Sequence, residues 1–372
     1  MILFLSDLLQ TFKACIMKKF LPFFLILATP AILVNGQDCS ELFFSEYVEG
    51  SGNNKALEIY NPTDQIVDLG KYFVARYSNG SSSYTAGGFT QLEGFLPAHT
   101  AFVLVNGQTE DTDLGGGNIS PKCDPALQAL ADQLDHAYPA PTYMNGNDAI
   151  ALLKSDDKNI DNAIAVDLIG QIGLGSAISS ETGWSFVKDT TVEYRVDSVN
   201  NIYTKGKVIN YIVQANDTTG QYFGPYWLAW TKDHTLIRKV TVTKGVTDNP
   251  DPFVVTMEWD TASSEKDFWD SLGTHFSNCD IATAVNQPLA RPAQVVVYPN
   301  PVTGGNMEII TNYTIRHIEI TNILGEILIS LETLGEIRRQ VSISLPPDIH
   351  GMVFAKVSME GNRTEVRKIM IR

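Results

Sequence analysis

The sequence predicts a mainly β protein built from two consecutive β-sandwiches. Short runs rich in β-branched and aromatic residues recur between clusters of Gly, Asn and Pro, which is the pattern of sandwich strands and their turns. The 372 residues include 28 Gly and 17 Pro, with 44% hydrophobic and 19% charged residues, a composition typical of a folded protein with many turns. Six predicted strands come first: Leu42–Val48, Ala56–Tyr60, Tyr72–Tyr77, Ala101–Val105, Ala149–Leu153 and Ala163–Ile169.

The second of these runs predicts a strand with one buried and one exposed face. Leu57 and Ile59 alternate there with Glu58 and Tyr60, which matches the two-residue period of side chains along a strand. We therefore expect the first pair to face a core and the second pair to face solvent.

One segment between the predicted strands has helical spacing instead. Leu127, Leu130 and Leu134 recur at intervals of three and four residues, which places them on one face of a helix. Asp124 directly precedes this segment and is a favoured N-cap residue. The sequence therefore predicts a single helix over residues 125–136.

The N-terminus predicts a secretory signal peptide. Lys18 and Lys19 precede an apolar run from Phe20 to Val34, which is the order of regions in such a peptide. The run is shorter than the roughly 20 residues that span a membrane. We expect residues 1–36 to be removed by cleavage after Gly36, and Met17 is an alternative start of translation.

The rest of the chain is strongly acidic. Residues 1–36 contain three lysines and one aspartate, so the remainder has 24 basic and 41 acidic residues and a net charge of −17. Phosphate backbones are bound by clusters of Lys and Arg, whereas the longest basic runs here are the pairs Arg338-Arg339 and Arg367-Lys368. We therefore expect no nucleic-acid partner and interpret the acidity as a contribution to solubility.

Three cysteines follow the predicted signal peptide, in a compartment where disulfides persist. Cys39 and Cys279 lie near the two ends of the first predicted domain, where a bridge would join its termini, but Cys123 competes for either partner. The sequence thus predicts one disulfide and leaves its pairing open. A metal site at these cysteines is not expected, because no paired Cys or His spacing of a zinc site accompanies them.

A change in composition separates the two predicted sandwiches. Prolines interrupt any strand between Ala282 and Ala293, so we assign residues 37–282 to the first domain, 283–293 to a linker and 294–372 to the second domain. The last 79 residues contain eight acidic and eight basic residues, so the excess negative charge belongs to the first domain. The strands predicted for the second domain are Val295–Tyr298, Met307–Thr311, His317–Thr321, Ile327–Leu331, Val341–Leu345, Met352–Val357 and Thr364–Ile371.

Four motifs in the second domain form a distinctive set: Val297–Pro301, Ile318–Gly325, Gly351–Val357 and Lys368–Arg372. The prolines of the first motif cannot donate to a strand ladder, and the glycine that ends the second suits a hairpin turn. Together the motifs resemble the type A C-terminal sorting domain of the type IX secretion system. The residues that carry this resemblance most clearly are Tyr298, Pro299, Asn300, Pro301, Gly325 and Lys368.

The resemblance implies a set of partners and a location. We expect the chain to interact with the type IX secretion machinery and to pass through the periplasm to the surface or surroundings of a Gram-negative bacterium. We also expect removal of the sorting domain, followed by release of the protein or its attachment to surface lipopolysaccharide.

The first domain has motifs of its own, in the order Phe44–Pro62, Val67–Leu69, Asn145–Leu152, Asp167–Gly170, Asp233–Lys239 and Glu258-Trp259. They resemble the bacterial lamin-tail domain, which implies an immunoglobulin-like β-sandwich. The sequence departs from that family by two inserts, near residues 119–143 and 185–232. The second insert contains two runs that predict strands, Thr191–Val196 and Val208–Val213, and any activity peculiar to this protein is expected to reside there.

We expect no enzymatic activity, because none of the spacings typical of zinc peptidases, serine hydrolases or phosphate-binding loops occurs in the sequence. Glu46, Glu49 and Glu58 are acidic residues that an acid/base mechanism would need, but Glu58 lies in a strand common to noncatalytic relatives of the fold, so we interpret the group as structural. His234 has no second histidine close in sequence, so we interpret it as a structural residue.

Two acidic turns supply the oxygen ligands that calcium prefers, Glu110–Asp113 and Asp156–Asp161. Neither turn has the complete spacing of a calcium loop, so solvated turns are the favoured interpretation and a calcium site is the alternative. No other cofactor is expected.

An aromatic stretch at the end of the second insert favours binding when exposed and packing when buried. Its four candidate ligand-binding residues are Tyr222, Tyr226, Trp227 and Trp230. The ligand would be a glycan or a protein.

The leading hypothesis is a secreted or cell-surface, noncatalytic binding or structural protein exported by the type IX system. One alternative is a secreted hydrolase whose site the two inserts form. Another is a glycan-binding adhesin that uses the aromatic stretch.

Overall fold

The computed structural model describes residues 38–178, 183–197, 202–215, 228–263, 267–280, 293–333 and 338–372, without the side chains of 192–207, 214–215 and 262–263. The predicted signal peptide and nearly all of the predicted linker lie outside these residues. No helix in the described ranges is long and apolar enough to cross a membrane.

Between residues 38 and 280 the described chain forms strands and two short helices, α1 (Pro125–Gln128) and α2 (Val255–Glu258). The six strands predicted first are confirmed to within one residue at each end. The described strands are β1 (Phe43–Glu49), β2 (Lys55–Tyr60), β3 (Val67–Asp68), β4 (Tyr72–Tyr77), β5 (Phe89–Gln91), β6 (Phe95–Leu96), β7 (Ala101–Val105), β8 (Thr112–Gly115), β9 (Asn118–Ser120), β10 (Gln133–Leu134), β11 (Ala149–Lys154), β12 (Ile164–Ile169), β13 (Gly183–Trp184), β14 (Thr191–Asp197), β15 (Ile202–Ile209), β16 (Ile212–Ala215), β17 (Thr235–Arg238) and β18 (Trp259–Ser263).

Two of the sheets form the first sandwich. The larger sheet has the order β10-β7-β2-β1-β17-β18, and the smaller has the order β12-β11-β4-β5. Neighbouring strands are antiparallel except β10, which runs parallel to β7. The facing sides share one apolar core, to which Tyr47 and Leu57 contribute from the larger sheet and Val74 and Leu152 from the smaller.

The outer face of the larger sheet is also buried, so the half-exposed pattern predicted for β2 is wrong. Glu58 and Tyr60 are 0% and 1% exposed. Residues of the first insert and of the 267–280 segment cover this face, which strand alternation alone assigns to solvent. The apolar cluster on it consists of Val48, Ala56, Val103, Val105, Cys123, Leu127 and Leu272.

The helix predicted over residues 125–136 begins as expected but is much shorter. Asp124 is confirmed as its N-cap, since its Oδ1 accepts a hydrogen bond from the Ala126 N–H at 2.8 Å. Leu127 is buried in α1, which ends one residue later.

The predicted helix ends early because the chain joins the edge of the larger sheet. The Asp132 N–H donates to the Val103 carbonyl at 2.9 Å, and strand β10 follows directly. Leu130 and Leu134 are consequently 42% and 48% exposed instead of sharing a buried helical face.

The second insert contributes a separate sheet of order β13-β16-β15-β14. The strand predicted at Thr191–Val196 is confirmed as β14, but the strand predicted at Val208–Val213 is wrong. Asn210 and Tyr211, with φ of 48° and 69°, form a two-residue turn inside that segment, between β15 and β16. The apolar residues on both sides of this two-residue turn form one continuous run, which is why the sequence predicts a single strand there.

The C-terminal part is a second sandwich with the seven predicted strands. Its sheets have the orders β19-β20-β23 and β22-β21-β24-β25, and their facing sides share an apolar core. The predicted hairpin turn at Gly325 is confirmed between β21 and β22, with φ of 83°. The strands are β19 (Val295–Tyr298), β20 (Asn306–Thr311), β21 (Ile315–Asn322), β22 (Ile327–Glu332), β23 (Gln340–Ser344), β24 (Gly351–Met359) and β25 (Arg363–Ile371).

Candidate functional site

The buried carboxylates of β1 and β2 form structural contacts. Glu46 and Glu58 lie opposite one another in the ladder, and both are covered by the chain around Ser271. The Ser271 hydroxyl donates to Glu46 at 2.9 Å, while the Glu58 carboxylate accepts from the Ser45 hydroxyl at 2.6 Å and from the Gly273 N–H at 2.6 Å. These carboxylates are therefore closed off from solvent in the described structure.

Burial also changes the acidity of this pair. It raises the pKa of Glu46 to about 8, with the nearby Glu58 carboxylate adding to the shift. Burial likewise raises the pKa of Glu58, against the lowering effect of its hydrogen bonds. A perturbed carboxyl pair is a common mark of an active site, but here it lies inside the fold rather than in a cleft.

Glu49 and His234 also take part in local contacts. The Glu49 carboxylate is buried, pairs with Lys55 and accepts from the Asp233 N–H. The His234 Nδ1 lies 2.6 Å from the Lys232 carbonyl oxygen. These contacts fix the chain where it turns into β17.

A buried ion-pair centre joins three motifs of the first domain. The Arg238 guanidinium contacts Asp167 at 2.9 Å and Glu258 at 2.6 Å, and it lies 4.7 Å from the centre of the Trp259 ring. Asp167 also accepts from the main-chain N–H of Phe44 at 2.8 Å. The motifs therefore mark a structural cross-link between strands.

The disulfide pairing left open by the sequence is now settled. Cys39 is bonded to Cys279, with 5.9 Å between their Cα atoms, and Cys123 is a buried free thiol. Next to the bridge, Asp280 and Asp64 lie 2.7 Å from the two ring nitrogens of His99. The disulfide joins the two ends of the first domain, and His99 holds Asp280 to the segment around Asp64.

The two acidic turns are bonded locally. The Asp113 carboxylate accepts from the Gly115 N–H at 2.7 Å, and Asp156 pairs with Lys71 at 2.9 Å. In the described ranges, no three acidic, histidine or cysteine side chains are grouped closely enough to hold a metal ion. The calcium alternative therefore has no described ligand set.

The aromatic stretch is described only at its last member. Tyr222, Tyr226 and Trp227 lie outside the described residues, whereas Trp230 is half-buried and packs against the main core. Its ring lies 5.2 Å from that of Phe186, tilted by 33°. The contacts of Trp230 favour the packing interpretation for that residue.

An open cleft of about 740 Å³ lies elsewhere, between the β8–β9 hairpin and the end of the first insert. Tyr138 and Tyr143 line one side, with ring centres 5.5 Å apart and ring planes at 87°. The Tyr143 hydroxyl donates to the Gln108 side-chain oxygen at 3.0 Å. The same Gln108 amide donates to the Ser120 carbonyl at 2.8 Å, so it ties the tyrosine side of the cleft to the hairpin.

This cleft was not predicted from the sequence, although a signal for it is present there. Residues 138–143 read Tyr-Pro-Ala-Pro-Thr-Tyr, and two prolines within six residues oppose both helix and central strand. Tyrosines in such a segment are available for a surface, because neither can belong to a strand ladder or a helical core stripe.

The sorting motif joins the two ends of the second sandwich. The Asn300 side chain donates to the Lys368 carbonyl at 3.0 Å and accepts from the Met370 N–H at 3.1 Å. These hydrogen bonds place the motif, in which Pro299 and Pro301 flank Asn300, beside β25, where Lys368 is exposed. The Tyr298 ring packs edge to face on Phe95 of the first sandwich at 5.6 Å.

The described chain is thus a β-sandwich whose ends are joined by a disulfide, followed by a second β-sandwich. Residues 35–167 match the family model of the Lamin Tail Domain, and residues 296–372 match that of the Secretion system C-terminal sorting domain. The chain therefore carries a lamin tail domain and a type IX sorting domain. It is a secreted or cell-surface protein whose sorting domain interacts with the type IX machinery. No curated protein matches the chain.

Proposed function

We propose that the part of the chain before the sorting domain is a noncatalytic binding protein that acts outside the cell. The distribution of ionisable side chains supports this proposal. The paired carboxylates Glu46 and Glu58 are buried in the fold, whereas the cleft beside Tyr138, which we take as the candidate binding site, is lined by a single described carboxylate, that of Glu110. Hydrolysis needs an acid, a base or a nucleophile acting together on one substrate, and this cleft brings together hydroxyl, amide and aromatic groups instead.

The proposal includes the fate of the sorting domain. We infer that it is removed in a Gram-negative host, within the predicted linker at residues 283–293, and that the product is released or held on surface lipopolysaccharide. The mature protein then begins near Gln37. The family match of the sorting domain and the composition of the linker support this inference.

The test starts with the protein made by its native host. Cells are fractionated into surface, periplasm and medium, and the intact mass of the protein is measured in each fraction. A species that begins near Gln37, ends between residues 283 and 293 and occurs outside the cell is expected. A chain ending at Arg372 and retained in the periplasm would contradict the proposed fate.

The recovered protein is then assayed for turnover and for binding. We expect no hydrolysis of phosphate esters, carboxylic esters, peptides, glycosides or DNA above a buffer control, together with saturable association with cells or extracellular material. Turnover that copurifies with the protein and is lost in Glu110→Gln would replace the binding proposal with the hydrolase alternative.

A further inference from the structure

We propose that the cleft between the β8–β9 hairpin and Tyr138 binds a neutral oligosaccharide. The inference rests on the proposed binding function and gives it a site and a class of ligand. It moves the glycan hypothesis from the aromatic stretch of the second insert to the first insert.

The aromatic wall of the cleft is fixed and accessible. Tyr138 is 71% exposed, yet its ring is supported by the Tyr143 ring at 5.5 Å and by the Arg76 guanidinium at 5.8 Å. Arg76 is in turn buried and paired with Asp148 at 3.1 Å. A tyrosine held in this way offers apolar surface to a ligand with little loss of side-chain freedom on binding. The flat apolar face of a sugar ring matches such a surface.

The polar groups opposite suit hydroxyl groups. The Glu110 carboxylate is exposed and makes no hydrogen bond or ion pair within the described residues. Its two oxygens can accept from two adjacent hydroxyls of one sugar, and hydrogen bonds to a charged acceptor are stronger than neutral ones. The Thr112 hydroxyl, also in the lining, can donate or accept as the sugar requires.

Gln108 is a positioning residue for this arrangement. Its amide nitrogen donates to the Glu110 carbonyl at 3.0 Å and to the Ser120 carbonyl at 2.8 Å, while its oxygen accepts from the Tyr143 hydroxyl. One side chain therefore sets the distance between the carboxylate and the tyrosines. Pre-set groups of this kind raise affinity because the protein loses less freedom on binding.

The charge around the cleft excludes anionic ligands. Asp111 follows Glu110 directly and Asp113 lies in β8, and the chain after residue 36 has a net charge of −17. Phosphates, nucleic acids and acidic polysaccharides are repelled by this surface. A neutral sugar keeps the hydrogen bonds to Glu110 without an ionic partner, so its binding is insensitive to salt.

The test uses the chain from Gln37 to Arg372 and isothermal titration calorimetry. The probes are cello-, malto-, xylo- and manno-hexaose, with oligogalacturonate as the anionic probe and oligolysine as the cationic probe. We expect at least one neutral hexaose to bind, with affinity unchanged to within about twofold between 0.1 and 1 M NaCl. Oligogalacturonate is expected not to bind.

Matched variants locate the site. Tyr138→Ala and Glu110→Gln should each weaken hexaose binding about tenfold or more, the size expected for a lost stacking surface or a charge-assisted hydrogen bond. Phe276→Ala removes an exposed aromatic side chain and Glu93→Gln an exposed carboxyl, both outside this cleft, and should leave binding within about twofold. Far-UV circular dichroism and the thermal midpoint check that each variant is folded.

The outcomes separate the inference from the function on which it rests. Absence of binding to every neutral hexaose, binding of oligolysine alone, or unchanged affinity in folded Tyr138→Ala and Glu110→Gln overturns the glycan site. If the protein still associates with cells in that case, the binding function stands. Hydrolysis of a bound hexaose would instead retain the site and overturn the noncatalytic function.

Discussion

The two sandwiches bury similar apolar residues but very different polar ones. The first buries charged side chains of both signs, whereas the buried polar residues described in the second are neutral. In the first domain the buried charged residues are Glu46, Glu49, Lys55, Glu58, Arg76, Asp135, Asp148, Asp167 and Arg238. In the second domain the buried polar residues are Thr311, Asn312, Thr314 and Thr333.

The difference follows from how each domain connects its strands. In the second sandwich, long antiparallel ladders such as β24 with β25 pair nine residues in register, so the main chain satisfies itself. In the first, irregular segments lie between short strands, and side chains complete their hydrogen bonds. Asp167, for example, accepts from the main-chain N–H groups of Phe44, Leu168 and Val246. In the first domain, buried charged side chains thus provide the main-chain hydrogen bonds that irregular segments do not form with neighbouring strands.

The largest effect is expected from breaking the ion-pair centre with Arg238→Met. The substitution leaves Asp167 buried without its partner, which costs about 3–5 kcal/mol of unfolding free energy. All five tryptophans precede the linker, so tryptophan fluorescence during urea unfolding reports on the first domain within the intact chain. We expect the midpoint of that transition to fall sharply.

A matched substitution in the second domain is the control. Lys356→Met removes an ion pair with Glu319 at 3.0 Å that is half exposed, and such pairs contribute roughly 0–1 kcal/mol. Far-UV circular dichroism during the same urea titration, which also reports on the second domain, should show almost no shift for this variant. If Arg238→Met does not fold, Arg238→Lys, which keeps the charge but not the two-pronged contact, should give an intermediate loss. A loss no larger for Arg238→Met than for Lys356→Met would contradict the comparison.

A somewhat smaller effect is expected from removing the disulfide. The double substitution of Cys39 and Cys279 by Ser opens a bridge that spans 240 residues, and loss of a native disulfide typically costs about 2–5 kcal/mol. The tryptophan transition should shift to lower urea, and dithiothreitol should destabilise the wild type but not the variant. Cys123→Ala, which removes the free thiol, should remain sensitive to dithiothreitol. Equal urea midpoints for the double variant and the oxidised wild type would show that the bridge does not stabilise the first domain.

The sequence predicts the second sandwich better because its pattern is local. In β21, Ile318 and Ile320 are buried while His317 and Glu319 on the alternate positions are partly exposed, as a strand with one covered face requires. Gly325 adds the turn that fixes the neighbouring strand. Every element of that prediction lies within a few residues of the next.

The burial of charged residues in the first sandwich cannot be predicted in this way, because the contacts that cause it join residues far apart in the sequence. Glu58 is buried by a bond to Gly273, which lies 215 residues later, and the cleft depends on Gln108 reaching Tyr143 across 35 residues. The motifs around Glu58 and Asp167 are visible in the sequence, but their pairing is not. Patterns in a single sequence therefore predict the strands but not the distant segments that bury their outer face.

The smallest effect is expected from Glu46→Gln, which tests whether pH sensitivity belongs to the first domain. The folded-state pKa of Glu46 is raised to about 8 by burial and by Glu58. Protonation therefore stabilises the fold fully below about pH 4.5, and this contribution is lost as the pH rises towards 8. Glutamine cannot ionise, so the variant should lose that decline and gain roughly 2 kcal/mol over the wild type near pH 6. Tryptophan-detected urea midpoints between pH 4.5 and 8.5 measure both slopes, with exposed Glu93→Gln as the control. Parallel slopes for Glu46→Gln and wild type would place the pH dependence elsewhere in the chain.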